Sequence, residues 1–461
     1  MSIFEKKSTM PVGADELYRW HARPGAFERL VPPWDPVDLV SHEGGIEDGA
    51  RRVMKIHPGP LSLTWEALHR DHIEGRQFVD EQLRGPFSSW VHTHRFEPRE
   101  DSDTSILSEH IEYSLPLGPL GNAVGGASTR KMLEQLFDFR HRRTADDLNR
   151  HRTTDRQLKV AITGASGLIG SALSAFLTTG GHEVLRLVRR PEDLEEDEVY
   201  WSPAKSEIDA ESLEGLDAVV HLAGESVNGR WSPEKRRQIE ESRTRGTALL
   251  AETLSRLERP PAVFASASGV GFYGECADRE LREDAPAGDN FLAQVCTKWE
   301  AATEPAREAG IRTLKLRIGV VLDPRSGALK EMLPAVRLGL ARRLGSGDQY
   351  VSWIDLDDLI AAIHFLLIND ELEGPFNLTA PRPVKNSELF DVLGDVVGRP
   401  TIIPVPQTFI KLMVGSQMAQ ETALASQRAF PGKLLDAGFP FYYDDLQSSL
   451  AHKLGARSGQ S

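Results

Sequence analysis

Cysteine is nearly absent. Cys276 and Cys296 are the only two among 461 residues, too few for a disulfide framework and without the paired spacing of a metal-binding knuckle. No run of about eighteen apolar residues occurs, and the opening MSIFEKKSTM lacks the apolar stretch of a secretory leader. The expectation is a cytoplasmic protein with no membrane partner. Positive charge is in deficit as well: 54 Lys and Arg against 68 Asp and Glu leave a net charge of −14, which speaks against a nucleic-acid partner. Internal repeats and low-complexity tracts are also missing.

What remains is ordinary globular composition, 40% hydrophobic and 26% charged. The length exceeds what one core usually supports, so two or three domains are expected. Residues 1–148 are rich in Trp, His and Pro, and the stretch from Arg51 to Pro98 reads as short strands between Gly/Pro turns, hence an antiparallel sheet. Met132, Leu133, Leu136 and Phe137 then share one helical face, which predicts a long amphipathic helix across that sheet. Residues 149–157, NRHRTTDRQ, have no apolar rhythm and read as a linker.

From residue 158 to 399 the rhythm changes. LKVAITGA, HEVLRLVRR, DAVVHLAG, PAVFASASG and RTLKLRIGVVL are short apolar runs, mostly separated by helical segments. That pattern predicts an α/β doubly wound parallel sheet covered on both faces, a Rossmann fold. Ser232 followed by Pro233 marks a helix start. The chain from 400 to 461 mixes Pro-rich turns with helix and strand patterns and reads as a small C-terminal lobe.

The most informative segment is KVAITGASGLIGSALSAFL. A strand runs into Gly164, Ala165, Ser166, Gly167, Leu168, Ile169 and Gly170, and a helix pattern follows. The first glycine permits a tight turn and the second lets backbone approach a pyrophosphate. The third allows close packing of helix on strand, and the helix N-terminus offers N–H groups to the anion. About twenty residues on, where an NAD-binding domain presents an acidic residue to the ribose, stand Arg189 and Arg190. A guanidinium there can pair with a 2′-phosphate, so the expected cofactor is NADP(H).

With these residues in view the chain resembles the extended short-chain dehydrogenase/reductase superfamily, and within it an atypical epimerase/dehydratase-like family. The matching segments are TGASGLIG (163–170), HLAGESV (221–227), RWSPEKRRQIEESR (230–243), SASGVGFYG (266–274), NFLAQVCTKWE (290–300), LRIGVVL (316–322), GSGDQYVSWIDLDD (345–358), GPFNLTAP (374–381) and QRAFPGKLLDAGF near the C-terminus. The resemblance implies that Leu222, Ala223 and Gly224 line the adenosine side of the cofactor and that Arg243 reaches its phosphates. It also implies that Val320 and Val321 lie near the nicotinamide half.

Typical relatives carry a Tyr and a Lys four residues apart for proton transfer. Here those positions are Leu292 and Cys296, and none of the seven tyrosines is followed by Lys at that spacing. Ser268 and Tyr273 are the candidate catalytic residues in their place. Ser266 and Glu300 stand nearby, Glu300 as an acid if burial neutralised it. Two functions follow: an NADP(H)-dependent epimerase or oxidoreductase acting on a small-molecule substrate such as a sugar nucleotide, or a non-catalytic NADP(H) sensor.

The N-terminal part, from ELYRWHARPGAFERLVPPW through GPFSSWVHTHRFEP, resembles the START-like superfamily, an α+β helix-grip fold around an apolar cavity. That resemblance implies a hydrophobic ligand. On a strand, Trp90, His92, His94 and Phe96 share a face. Two histidines so spaced can ligate a metal, but no Cys, Asp or Glu completes the set locally, and no metal is expected.

Overall fold

A computed structural model describes the whole chain except residues 58, 60, 101 and 457–461, and the side chain of residue 122. The chain divides into two compact units, Met1–Asp155 with Ala175–Gly181, and Arg156–Ser174 with the residues from His182 onward. No described helix is long and apolar enough to cross a membrane.

The first unit contains β1 (Ser2–Met10), α1 (Ala14–Ala22), α2 (Ala26–Leu30), β2 (Asp38–Glu43), β3 (Arg51–Ile56), β4 (Leu63–Ile73), β5 (Gln77–Arg84), β6 (Ser89–Pro98), β7 (Ser105–Ser114) and α3 (Pro119–His151). The strands form one antiparallel sheet in the order β1-β7-β6-β5-β4-β3-β2. Strict alternation along β6 puts Trp90, His92, His94 and Phe96 on the buried face, as the period of a strand requires. Leu133 and Phe137 of α3 are fully buried against Phe4, Trp90, Ile111 and Tyr113, with Leu136 at the margin of the same cluster. Met132, expected on that face, is 45% exposed. The helix runs through His151, three residues into the stretch read as linker.

The second unit opens with β8 (Lys159–Thr163), α4 (Leu168–Thr179), β9 (Glu183–Val188), β10 (Glu198–Ser202), β11 (Glu207–Ile208), β12 (Ala218–His221), α5 (Pro233–Leu254), β13 (Val263–Gly269) and α6 (Phe291–Ala301). Its sheet runs β11-β10-β9-β8-β12-β13, then the strands Arg312–Ile318 and Gly374–Leu378. All neighbours are parallel except the β11 edge. The inner strands are Val, Ala, Ile and Phe on both faces because helices cover both, which is why they read as unbroken apolar runs. Ser232 caps α5 by accepting from the Lys235 N–H at 3.1 Å.

Register sets up the site. Thr163 lies opposite Leu187 of β9 and His221 of β12, and His221 lies opposite Ser266 of β13. β8, β9 and β12 therefore finish nearly level, with β13 running three residues further to Gly269, and the order reverses between β8 and β12, the switch point where such sheets bind ligands. Beyond the sheet, Val320–Leu322 pairs in parallel with Trp353–Asp355. Leu322, Trp353, Phe390, Leu446 and Leu450 share one core, so the chain after residue 400 packs with the segments before it instead of around a core of its own.

Candidate functional site

The loop after β8 bends at Gly164, whose φ is +70°, a value an L side chain rarely adopts. A methyl group there would also lie 3.0 Å from the backbone of Leu222 and Ala223. Gly170 sits in the first turn of α4, where an added Cβ would fall 2.2 Å from the Gly164 carbonyl oxygen. Ser166 and Gly167 are exposed at the crest, and the helix proper starts at Leu168 and Ile169. The result is a cradle of bare backbone ahead of a helix N-terminus.

Behind the loop, Thr163 ties β8 to β12. Its hydroxyl oxygen accepts from the N–H groups of Leu222 (3.1 Å) and Ala223 (3.2 Å) and lies 2.7 Å from His221 Nδ1. Burial, with a lesser contribution from the Arg243 guanidinium, pushes His221 down to about 3. It is therefore neutral in the folded protein, while an unfolded chain protonates it near 6.5. The unfolded state then binds more protons between those values, so this group costs nothing above about pH 6.5 and costs stability progressively as pH falls toward 3. In His221→Asn, acid unfolding followed by circular dichroism is expected to be shallower over that window. An unchanged profile would mean that other groups set it.

Arg243, on α5, stands beside this segment. Its Nη1 donates to the carbonyls of Glu225 (2.9 Å) and Ile239 (3.0 Å), and its guanidinium carbon lies 3.4 Å from where a Gly224 Cβ would be. It also lies 5.0 Å over the Trp299 ring. Burial lowers its pKa, and among the described residues no ion pair is recorded for it. A half-buried guanidinium without a carboxylate invites an anionic ligand.

The structure separates the two strand-end arginines. Arg190 binds the Glu198 carboxylate and the Asp193 carbonyl, so its charge is already matched. Arg189 is exposed, with no recorded ion pair among the described residues. The structure supplies the cause: the strand that begins at Glu198 runs parallel to β9 and brings that carboxylate to Arg190.

Ser268 and Tyr273 are brought together, but inside a closed network. Ser268 Oγ donates to Glu300 Oε1 at 2.8 Å. Arg317 grips the same carboxylate through Nε (2.8 Å) and Nη2 (3.0 Å), and its Nη1 donates to the Tyr273 oxygen at 3.0 Å. Tyr273 in turn donates to Asn377 Oδ1 at 2.7 Å, and is 1% exposed. Glu300 is thus held by a bidentate guanidinium, and its use as an acid would have to break that pairing. Ser266 is fully buried in β13. Arg317 and Asn377 were missed. An arginine inside LKLRIGV, an otherwise apolar strand, was the available signal, since a buried charge needs a partner.

At the usual Tyr and Lys positions, Leu292 packs beside Trp231, Ile239 and Val295. Cys296 is buried, and that burial, followed by the nearby Glu300 charge, pushes its thiol up to about 11. Leu292 has no proton to exchange, and Cys296 stays a protonated thiol at neutral pH. Val320 packs on the Leu322–Trp353 core, and Val321 is half-buried beside it.

The first unit encloses a separate cavity of about 530 Å³ under the concave face of its sheet, lined by Trp34, Met54, Trp65, Phe87, Trp90 and Leu133 among others. Its polar floor holds Asp80, His92 and His94. Asp80 and Glu109, on strands flanking β6, supply the carboxylates that sequence alone did not place next to the histidine pair.

A doubly wound sheet, a glycine bend at its switch point and a guanidinium beside it define a Rossmann-type dinucleotide fold. Comparison with known proteins gives the family. The model for the NAD dependent epimerase/dehydratase family matches residues 160–378, one for a domain of unknown function matches 405–452, and one for polyketide cyclase/dehydrase and lipid transport proteins matches 10–137. An epimerase family protein of Mycobacterium bovis is 42% identical over 294 residues, 64% of this chain and 96% of its own. The chain belongs to this epimerase family. A crystal structure described as a nucleoside-diphosphate sugar epimerase from Corynebacterium glutamicum is 31% identical, covering 98% of this chain and 90% of that one at a TM-score of 0.81. The human epimerase family protein SDR39U1, solved with NADPH, is 32% identical, covering 64% of this chain and 99% of its own at a TM-score of 0.60.

Proposed function

We propose that the second unit binds NADP(H) and exchanges hydride with a small carbonyl or sugar-nucleotide substrate, as an oxidoreductase or epimerase of atypical type. The observation that carries the cofactor assignment is the half-buried Arg243 guanidinium, lacking a recorded ion pair, beside a backbone cradle that a Cβ at Gly170 would fill. Arg243 would hold the diphosphate with the loop of Gly164 to Gly170, and Arg189 alone would take the 2′-phosphate. Leu222, Ala223 and Gly224 would border the adenosine. When bound, the nicotinamide supplies the hydride chemistry. The human relative solved with NADPH supports this choice of coenzyme.

The same network favours a second reading. Ser268 and Tyr273 both donate to fixed buried acceptors, so proton transfer would fall to Ser268 or Tyr273 after rearrangement, or to water. A binding-only NADP(H) sensor needs neither. The first unit, taken as a separate domain ending near residue 155, would hold an apolar aromatic or lipid-like ligand in its cavity, in keeping with its family match.

The experiment is paired. Calorimetry with NADPH and NADH on the wild type and Arg189→Asp is expected to show NADPH favoured in the first and the preference lost in the second. Nicotinamide absorbance is then followed against sugar nucleotides and aldehydes. Binding without turnover on any of them would leave the sensor reading, and no binding of either coenzyme would end both.

A further inference from the structure

The floor of the N-terminal cavity carries more chemistry than a lipid-type pocket needs. His92 and His94 project from alternate positions of β6, and their rings lie 3.8 Å apart between centroids. Asp80 on β5 is in register with His92, and Glu109 on β7 with His94. One oxygen of Asp80, Oδ2, is 2.9 Å from His92 Nδ1 and 3.1 Å from His94 Nε2. On the far side, Glu109 Oε2 is 2.8 Å from His92 Nε2 and 2.9 Å from His94 Nδ1. One nitrogen of each ring thus faces each carboxylate.

This asymmetry of exposure matters. Glu109 is 4% exposed at its side chain and lies beneath the pair, whereas Asp80 is 18% exposed and lines the cavity with both histidines. A buried carboxylate accepting the outer N–H of an imidazole fixes the tautomer and leaves the other nitrogen as a lone-pair donor. Glu109 takes that role for His92, whose Nε2 lies 2.8 Å from it, so that His92 Nδ1 can turn a lone pair toward Asp80 Oδ2, while His94 Nε2 is hydrogen-bonded to that same oxygen at 3.1 Å. Three donors then converge on one space, their ligand atoms all within 4.8 Å of one another. Contacts this short around Asp80 Oδ2 need a positive centre among them, a proton on His94 in the metal-free protein or a metal ion in its place. A tetrahedral ion held at about 2.0–2.1 Å sets its donors about 3.3–3.4 Å apart, so these groups need to part by only a few tenths of an ångström to admit one.

We propose that Asp80, His92 and His94 form a binding site for one divalent transition cation, of the zinc class, oriented from behind by Glu109 and open to the aromatic cavity. Two imidazoles and a carboxylate suit zinc and its first-row neighbours and do not suit calcium or magnesium, which prefer oxygen ligands. The remaining coordination position faces the cavity, where water or a ligand oxygen would complete the set. The site is independent of the nucleotide fold and of whichever apolar molecule enters the cavity.

The test uses the full chain, stripped with chelator and titrated with Zn²⁺ and, separately, Co²⁺. One equivalent per chain is expected, with a visible ligand-field band for Co²⁺. Asp80→Asn and His94→Gln should each weaken Zn²⁺ binding by at least about tenfold, and Glu109→Gln by about 10–100-fold, the usual cost of losing an outer-sphere partner. An unchanged circular dichroism spectrum and an unchanged unfolding transition of the first unit in the same samples are the check that each variant is folded. If one fails it, the Co²⁺ spectrum of the wild type carries the decision alone. The proposal is overturned if the stripped wild type takes up no stoichiometric Zn²⁺ or Co²⁺. It is equally overturned if the Asp80→Asn and His94→Gln variants bind as well as wild type, or if histidine NMR shows both rings doubly protonated with Zn²⁺ in excess.

Discussion

Replacing Arg317 with Leu is expected to destabilise the nucleotide-fold unit by roughly 3–5 kcal/mol, the usual cost of leaving one member of a buried ion pair without the other. The guanidinium is 4% exposed and satisfies four acceptors: both oxygens of Glu300, the Tyr273 hydroxyl and the Glu283 carbonyl. Its carbon also lies 3.5 Å from the centre of the Phe272 ring. Leucine replaces the volume in part and none of the bonds, so Glu300 is stranded as a buried anion with Ser268 as its remaining donor. The double variant Arg317→Leu, Glu300→Leu removes both charges and should recover at least half of the loss. Urea unfolding followed by tryptophan fluorescence reads this, taking the transition of each unit separately because two units need not unfold as one. A loss under about 1 kcal/mol in the single variant would show that water reaches the pair.

That result bears on catalysis as much as on stability. A network whose removal costs several kcal/mol is one that holds its hydroxyls in place, and Ser268 and Tyr273 belong to it. Leu292 adds apolar packing where a phenol would have pointed into the cleft, and Cys296 stays a buried thiol.

How far the sequence reveals such a site depends on how local the cause is. The loop at Gly164 to Gly170 is legible because tight-turn geometry and the first helical turn are fixed within a few residues, and a single Cβ would break them. The parallel sheet is legible because strands covered on both faces are apolar over most of their length, with the few buried polar residues gathered toward their carboxyl ends. Ser268 and Tyr273 were less so, since their roles rest on Arg317 and Asn377, tens of residues away. Arg190 looked equivalent to Arg189 until the strand at Glu198 lay beside it. In the first unit, β6 alternation places both histidines, but Asp80 and Glu109 join them only through register across two antiparallel ladders. The segment after residue 400 resisted reading because its strands are two residues long, as at Pro404–Val405 and Arg428–Ala429. Periodicity cannot register in so short a span.

Arg243→Met is expected to weaken NADPH binding by about 100-fold while leaving the fold intact. Methionine keeps much of the aliphatic stem and its packing on Trp299, so the change isolates the charge. The guanidinium sits beside Gly224 at the carboxyl edge of the sheet, a few residues along from the β12 end that Thr163 ties to the glycine bend. Burial already lowers its pKa, which means the folded protein has removed part of its hydration before any ligand arrives. An anion entering that space meets a charge partly stripped of water, and truncating one member of such a desolvated pair costs about 2–5 kcal/mol. At about 1.4 kcal/mol per factor of ten, the lower half of that range gives the expected loss. Arg243→Lys retains the charge but not the planar fork, and is expected to recover only part of the affinity. The measurement is calorimetric titration at two salt concentrations. Phosphate recognition predicts that the wild-type affinity falls with added salt more steeply than that of the methionine variant. Equal slopes, or equal affinities, would place the diphosphate away from Arg243.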